Sequence, residues 1–129
     1  MNNKEKKLKA YEWGQLGEQY AAELLLKAGY TIRERNWKNG RYELDLVAQL
    51  GDMIVFVEVK TRGRKGDDPL DSVTPDKVKR TIAAANAYLT MMDYAYSYRF
   101  DLVSIVGTPD DYEIEHIPDA FLPPLRSYR

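Results

Sequence analysis

Four ionisable side chains interrupt two apolar stretches that otherwise have the pattern of β-strands. They are Glu43 and Asp45 in the first stretch and Glu58 and Lys60 in the second, within YELDLVAQLGDMIVFVEVKTR at residues 42–62. Because side chains alternate along a strand, each pair shares one face of its own strand. Charged groups inside core-forming strands cost free energy unless something compensates them. The stretch therefore predicts a site that does chemistry.

The pairing of the two strands decides whether the four side chains meet. With QLGD as a four-residue loop, Ala48 pairs with Met53, and the same register puts Glu43 opposite Glu58. Asp45 is then the diagonal neighbour of Glu58, about 7 to 8 Å away at the backbone. All four side chains point to the same side of the predicted hairpin.

Three carboxylates against one ammonium group leave a charge deficit that a hard divalent cation would fill. Asp45 and Glu58 would share one ion at about 2.0 to 2.1 Å if it is magnesium, with the carbonyl of Val59 and water molecules as further ligands. Lys60 is placed to orient or deprotonate a metal-bound water, or to stabilise the negative charge of phosphodiester hydrolysis. A solvent-facing, ion-paired strand face is the alternative interpretation.

The rest of the chain supplies elements that would hold these strands in place. Periodic apolar residues predict a helix from Trp13 to Ala28, ended by Gly29, and Thr74 is a predicted N-cap of a second helix. Residues 62–73 predict a loop. The predicted apolar faces are Trp13, Leu16, Tyr20, Leu24 and Ala28 in the first helix and Val78, Ile82, Ala85 and Leu89 in the second. With strands at YTIRERNW, SYRFDLVSIV and YEIEHI, the order is αβββαββ, an α/β sandwich on a mixed sheet of about five strands.

Length and composition favour one soluble domain over residues 1–129, with residues 1–10 expected to be flexible and residues 118–129 a proline-broken tail. Apolar residues make up 44% and charged residues 30% of the chain, which excludes a disordered class. The absence of cysteine excludes disulfides and thiolate zinc sites. No apolar run approaches the roughly 20 residues that span a bilayer, so we expect a cytoplasmic protein without a membrane partner.

The charge distribution is more informative than the net charge of −1. Residues 60–80 carry seven bases against four acids, whereas residues 107–119 carry five acids and no base. Simple solvation of the surface is the alternative to a nucleic-acid contact. We expect Asp101 to be structural, paired with Arg99 or at a strand end, and His116 to be a surface residue. Three alternating tyrosines are expected to be half-buried in an edge strand, and these are Tyr94, Tyr96 and Tyr98. Stacking of these tyrosines on unpaired bases is the alternative.

Several motifs, taken in order, resemble the YraN-like family of predicted nucleases. They are GQLGE at 14–18, ELDLVA at 43–48, VFVEVKTR at 55–62, SVTPDKVKR at 72–80 and YRFDLVSI at 98–105. That family belongs to the PD-(D/E)xK superfamily with the restriction-endonuclease-like fold, a three-layer sandwich, and is similar to archaeal Holliday-junction resolvases. The resemblance implies Mg²⁺ or Mn²⁺ as cofactor and DNA as partner.

The resemblance also implies roles for individual residues. Asp45, Glu58 and Lys60 match the catalytic motif, and Glu18 matches an acid on the first helix that reaches the metal cluster. Glu43 matches the acid of a G-E-I-D segment, in which Tyr42 replaces the usual glycine. The basic residue on the second helix that faces the site is matched by Lys77. Together with it, the expected nucleic-acid contacts are Lys79, Arg80 and Arg62.

These observations predict a metal-dependent nuclease that hydrolyses phosphodiester bonds of DNA, with branched or recombination and repair intermediates suggested by the resolvase likeness. A homodimer would suit a two-fold symmetric junction. The alternative is a nucleic-acid-binding or protein-interaction module that keeps the fold and does not cut. Binding of Mn²⁺ through Asp45 and Glu58 distinguishes the two.

Overall fold

Two helices flank one mixed five-stranded sheet in the computed structural model, which describes residues 2–63, 68–93 and 97–121, without the side chains of residues 6–8. The elements are α1 (Asn3–Lys27), β1 (Thr31–Asn39), β2 (Tyr42–Leu50), β3 (Met53–Arg62), a 3₁₀ helix (Pro69–Ser72), α2 (Pro75–Met91), β4 (Tyr98–Thr108) and β5 (Asp111–Ile117). The strands lie in sequence order, antiparallel except for the parallel pair β3–β4. A parallel pair needs a crossover connection, and α2 supplies it. The predicted order αβββαββ is confirmed.

The two helices cover opposite faces of β3, which confirms the three-layer sandwich. Val55 and Val57 pack in one cluster with Leu25 of α1, whereas Ile54 and Phe56 pack in another with residues of α2. Both clusters are almost fully buried. The central strand β3 is therefore apolar on both faces along its first half, and its ionisable residues come only in the second half.

Helix α1 begins at Asn3, whereas the apolar periodicity predicts a helix only from Trp13, with flexibility over residues 1–10. The Asn2 side chain accepts a hydrogen bond from the Glu5 backbone N–H at 2.8 Å and so caps the helix. The residues before Trp13 lack an apolar face but include strong helix formers such as lysine, glutamate and alanine. Their intrinsic helix propensity therefore extends the helix beyond the apolar pattern. The predicted end is confirmed, since Gly29 follows the helix with φ +95°.

The buried stripe of α1 lies about one residue away from the predicted face. Gly17, Ala21, Ala22 and Leu25 are buried, whereas the larger residues of the predicted face are at most half-buried. Small side chains let the helix backbone approach the sheet, and the bulky residues flank the contact. The predicted N-cap of α2 is confirmed, because the Thr74 hydroxyl accepts a hydrogen bond from the Lys77 backbone N–H.

The predicted β2–β3 register is wrong by two residues. Leu50 pairs with Met53 and Leu46 pairs with Val57, so the turn has two residues instead of four. Gly51, at φ +60°, adopts the left-handed conformation that a tight hairpin turn requires. Because the shift is an even number, the paired residues 46–50 of β2 keep their predicted faces.

Several predictions fall partly or wholly outside the described residues. Within the predicted loop 62–73, residues 69–72 form the 3₁₀ helix and residues 64–67 lie outside the description. Tyr94, Tyr96 and most of the tail, residues 122–129, also lie outside it. Tyr98 is 51% exposed and its ring contacts Phe56 and Phe100. Among the described helices, none combines the length and apolar character needed to cross a membrane.

A buried carboxylate joins the first residues of β4 to β5 and to the end of α1. Asp101 is fully buried and accepts two hydrogen bonds from Arg99, each at 2.7 Å, which confirms its structural role. Arg99 also donates to the Tyr30 hydroxyl at 2.8 Å. His116 lies 2.7 Å from Asp101, so its prediction as a simple surface residue is wrong. The prediction followed from its place in an acidic segment, whereas alternation along β5 gives it the same face as Tyr112 and Ile114, which pack against the core.

Candidate functional site

The strand β2 breaks its alternation at Asp45. Leu44 packs with the α2-side cluster and Leu46, two residues later, packs with the α1-side cluster. The β2–β3 ladder extends only to the Leu46–Val57 pair. Beyond that pair, a carboxylate oxygen of Asp45 accepts the Val59 N–H at 2.9 Å and takes the place of a strand carbonyl. The two strands therefore separate at this point, and the side chain of Asp45 fills the gap.

Asp45 and Glu58 come into direct contact at this point. Burial, and then the charge of the adjacent Glu58 carboxylate, raise the pKa of Asp45 to about 8, against the lowering effect of the Val59 N–H. A carboxyl–carboxyl hydrogen bond between the two residues and the charge of Glu18 act in the same direction. Burial and the nearby carboxylates therefore favour the protonated form of Asp45.

Close helix packing brings Glu18 towards this pair. The preceding residue, Gly17, lies so near to β3 that a Cβ atom there would overlap the Thr61 side chain and lie 3.3 Å from Ile105. Glu18 is half-buried, and its charge acts on Asp45. The family resemblance implies that Glu18 reaches the metal cluster, and the structure places it near Asp45.

A cavity of about 560 Å³ opens beside the paired carboxyls and is lined by both acids and bases. The acids come from β2 and β3, and the bases come from the first turns of α2 and from the β1–β2 turn. Its lining residues are Arg41, Tyr42, Glu43, Asp45, Glu58, Lys77, Lys79, Arg80, Thr81 and Ala83. Such a cavity offers carboxylates for a cation and ammonium and guanidinium groups for an anion.

Helix α2 contributes an ammonium group directly to the acidic pair. The Lys77 Nζ lies 3.2 Å from a Glu58 carboxylate oxygen, and both side chains are about one-fifth exposed. Lys79 and Arg80 line the cavity further along the same helix. Of the four predicted nucleic-acid contacts, three therefore border the acids. Among the described residues that line this cavity, Lys60 and Arg62 do not appear.

The position of Lys60 follows from its strand. It lies two residues beyond Glu58 on β3, is half-buried, and pairs with Ser104 of β4. Alternation gives it the same face of the sheet as Glu58. Its predicted role near the reacting phosphate stays a prediction.

The donor set fits a divalent cation with few protein ligands. Asp45 and Glu58 supply two carboxylates in contact, and the N–H of Val59 points to Asp45. Since the N–H and C=O of one strand residue point to the same neighbouring strand, the Val59 carbonyl faces that side as well. Within the described part of the chain, no group of three acidic or histidine side chains is close enough to hold a metal. Magnesium suits two carboxylates because it keeps several water ligands.

Four lining residues were given no site role by the sequence: Arg41, Tyr42, Thr81 and Ala83. Arg41 and Tyr42 lie where the chain passes from β1 to β2, and both border the cavity. The signal in the sequence was the KNGR turn directly before the acid-bearing strand. A hairpin turn sets its flanking residues at the same end of the sheet as the adjacent strand positions.

The comparisons with known proteins identify the family. Residues 17–105 match the model of "Uncharacterised protein family UPF0102". The chain belongs to this family. A UPF0102 protein of Phocaeicola vulgatus is 43% identical over 115 residues, which cover 88% of this chain and 95% of that protein.

Further UPF0102 relatives cover similar shares of the chain. One from Bacteroides fragilis is 42% identical over 113 residues, covering 87% of this chain and 93% of that protein. Another from Nitratidesulfovibrio vulgaris is 46% identical over 110 residues, covering 84% of this chain and 82% of that protein. UPF0102 is the YraN-like, nuclease-like group that the motifs indicated, and the matched region contains Glu18, Asp45, Glu58 and Lys77.

Proposed function

We propose that this UPF0102 protein is a cytoplasmic, metal-dependent nuclease that hydrolyses phosphodiester bonds of DNA. The observation that carries the proposal is the contact between Asp45 and Glu58 where β2 and β3 separate. Two carboxyl groups in contact, with the pKa of Asp45 raised, form a poor structural element, since replacing either with an apolar residue would remove the repulsion. They form a good site for Mg²⁺ or Mn²⁺.

The chain's own residues would divide the work as follows. Asp45, Glu58 and the Val59 carbonyl hold the cation, and Glu18 adds negative charge from α1. A bound divalent cation supplies an activated water and neutralises the charge on the phosphate. Lys60 orients the water or stabilises the developing negative charge. Lys77, Lys79 and Arg80 attract and position the DNA backbone along α2.

Branched or otherwise structured DNA is the proposed substrate, by the likeness of the family to junction resolvases. The bases that line the cavity favour a nucleic-acid ligand over a small neutral molecule, because three from the start of α2 and one from the β1–β2 turn border the acidic pair. A homodimer would match a four-way junction, whose two-fold symmetry requires two sites.

A panel of DNA substrates tests this function. Purified protein is incubated with duplex, single-stranded, flapped and four-way DNA, each with and without Mn²⁺, and the products are separated by size. We expect cleavage only with the cation. Lys60→Ala should lower the cleavage rate by about 100- to 1000-fold, as for other electrostatic groups at a reacting centre, while Mn²⁺ binding is retained.

A non-catalytic binding module is the second candidate. The observations that favour it are that Lys60 is not among the described residues lining the cavity and that Lys77 already neutralises Glu58. Such a module would bind DNA with the same affinity whether or not Mn²⁺ is present, and it would leave every substrate of the panel intact.

A further inference from the structure

Tyr42 is an aromatic residue at the border of the acidic and basic cavity. It is the first residue of β2, pairs with Asn39 across the hairpin, and lies between Arg41 and Glu43, which also line the cavity. Its side chain is 37% exposed. The ring therefore borders the same space as the paired carboxyls.

Within the described residues, Tyr42 takes part in no aromatic pair and its hydroxyl has no hydrogen-bond partner. By contrast, the rings of Tyr20 and Tyr112 stack on each other, and the ring of Tyr88 contacts Trp37. A partly exposed aromatic side chain without such a partner, beside a cavity with charged walls, is suited to bind a ligand with a flat face.

The charges around Tyr42 indicate which flat ligand this is. Arg41 precedes it at the turn, and Lys79 and Arg80 line the same cavity from α2. A ligand that combines an aromatic face with a nearby anion is a nucleotide within a nucleic-acid strand. Bases inside a duplex have both faces covered by their neighbours, so a tyrosine ring stacks on bases that are unpaired or at a helix end.

We propose that Tyr42 stacks on an unpaired base of the substrate and that Arg41 contacts the adjacent phosphate. This inference rests on the proposed function and narrows it, since it selects DNA with unpaired nucleotides next to the site of cleavage over continuous duplex. Tyr42 then acts as a specificity-determining residue, and the carboxyl pair of Asp45 and Glu58 remains the centre of hydrolysis.

The test measures binding in EDTA, so that it does not depend on cleavage. The probes are one duplex and one flapped DNA of the same sequence, each with 2-aminopurine at the position that is unpaired only in the flap. Affinity and 2-aminopurine fluorescence are compared for the parent, Tyr42→Phe and Tyr42→Ala. Tyr11→Ala is the matched control, because Tyr11 is 65% exposed on α1 and does not line the cavity.

Stacking predicts a specific pattern. Tyr42→Ala should weaken binding of the flapped probe by about 5-fold or more and abolish the fluorescence change, with duplex binding unaltered. Tyr42→Phe should behave as the parent, because it keeps the ring, and so should Tyr11→Ala. A melting temperature of Tyr42→Ala equal to that of the parent protein would show that the variant is folded.

Other results overturn the inference, separately from the proposed function. It is wrong if Tyr42→Ala weakens both probes equally, if it changes neither, or if the parent binds no flapped DNA. Cleavage without any dependence on Tyr42 would keep the nuclease and reject the stacking role. Stacking at Tyr42 without cleavage on the DNA panel would keep this inference and reject the nuclease.

Discussion

At the scale of single residues, the acidic pair is incompletely neutralised by the positive charges that contact it. Asp45 has a raised pKa because it is buried against Glu58. The ammonium group of Lys77 contacts Glu58, and among the described residues it makes no contact with Asp45. Sequence reasoning identified both acids and the lysine on α2. It could not show that the Asp45 carboxyl replaces a strand carbonyl by accepting the Val59 N–H, because that contact exists only where the two strands separate.

Lys77 and a divalent cation compete for the same carboxylate. Lys77→Met should therefore bind Mn²⁺ more tightly, by up to about 5-fold, since partly exposed ion pairs are worth up to about 1 kcal/mol. The control is Lys79→Met, which removes a charge from the same cavity but no bond to Glu58. Titration calorimetry with Mn²⁺ measures both. Equal affinities for the two variants would show that Lys77 does not oppose metal binding.

At the scale of elements, two helices carry the acid and the bases to opposite sides of the β2–β3 separation. Periodicity predicted both helices and the composition of β3 predicted its central place. The register was missed because loop length cannot be counted from QLGD alone, whereas Gly51 in the left-handed conformation closes a two-residue turn. The buried face of α1 was predicted wrongly because the prediction relied on large apolar residues such as tryptophan and tyrosine. The residues that are actually buried against the sheet are small ones such as Gly17 and Ala21.

The approach of α1 to β3 provides a prediction about Gly17. Gly17→Ala should destabilise the protein by about 1 to 3 kcal/mol, because the added methyl group would overlap Thr61. Gly14→Ala, three residues earlier on the same helix, meets its nearest atom only at 3.9 Å and should stabilise by up to about 1 kcal/mol through helix propensity. Urea unfolding measures both free energies. A Gly17→Ala protein as stable as Gly14→Ala would contradict the close packing that positions Glu18.

The basic side of the cavity gives a prediction about salt. Each phosphate contact contributes about 0.9 to the slope of log affinity against log salt concentration for duplex DNA. The double variant Lys79→Ala, Arg80→Ala should therefore reduce that slope by about 2 if both residues contact phosphates. Fluorescence anisotropy over a salt series measures it, with Lys27→Ala at the far end of α1 as control. An unchanged slope would exclude α2 from the DNA surface.

At the scale of the whole molecule, the buried Asp101 network ties β4 to β5, to the end of α1 and to the segment after β5. Arg99 and His116 contact its carboxylate, and the Asp119 N–H donates to it at 3.0 Å. Alone, burial would raise the pKa of Asp101, but the hydrogen bonds from His116, Arg99 and Asp119 outweigh it and lower the pKa. The sequence predicted the pairing with Arg99 and not the histidine, which is distant in the chain.

This lowered pKa makes the fold sensitive to acid. Stability from Asp101 is fully present above its unfolded pKa of about 3.9 and is lost as the pH falls through the lower folded value. Asp101→Asn should cost about 3 to 5 kcal/mol at neutral pH, because Arg99 loses its buried partner, and should flatten stability against pH below about pH 4. Denaturant unfolding between neutral and acidic pH measures this, with the exposed Asp111→Asn as control. Parallel pH curves for parent and Asp101→Asn would contradict the network's role.

The contact between Asp45 and Glu58 is the basis of the proposed nuclease, and one measurement tests it most directly. Cleavage of flapped and four-way DNA with Mn²⁺ is compared for the parent and Asp45→Asn, and DNA binding is recorded in parallel samples that contain EDTA instead of the cation. We predict that the parent cuts, that Asp45→Asn loses cleavage by at least about 100-fold, and that without metal it binds DNA equally or more tightly because the Asp45 carboxyl no longer repels the phosphate. Cleavage by Asp45→Asn at the parent rate, or a parent that binds DNA and cuts none of it with Mg²⁺ or Mn²⁺, would contradict the account.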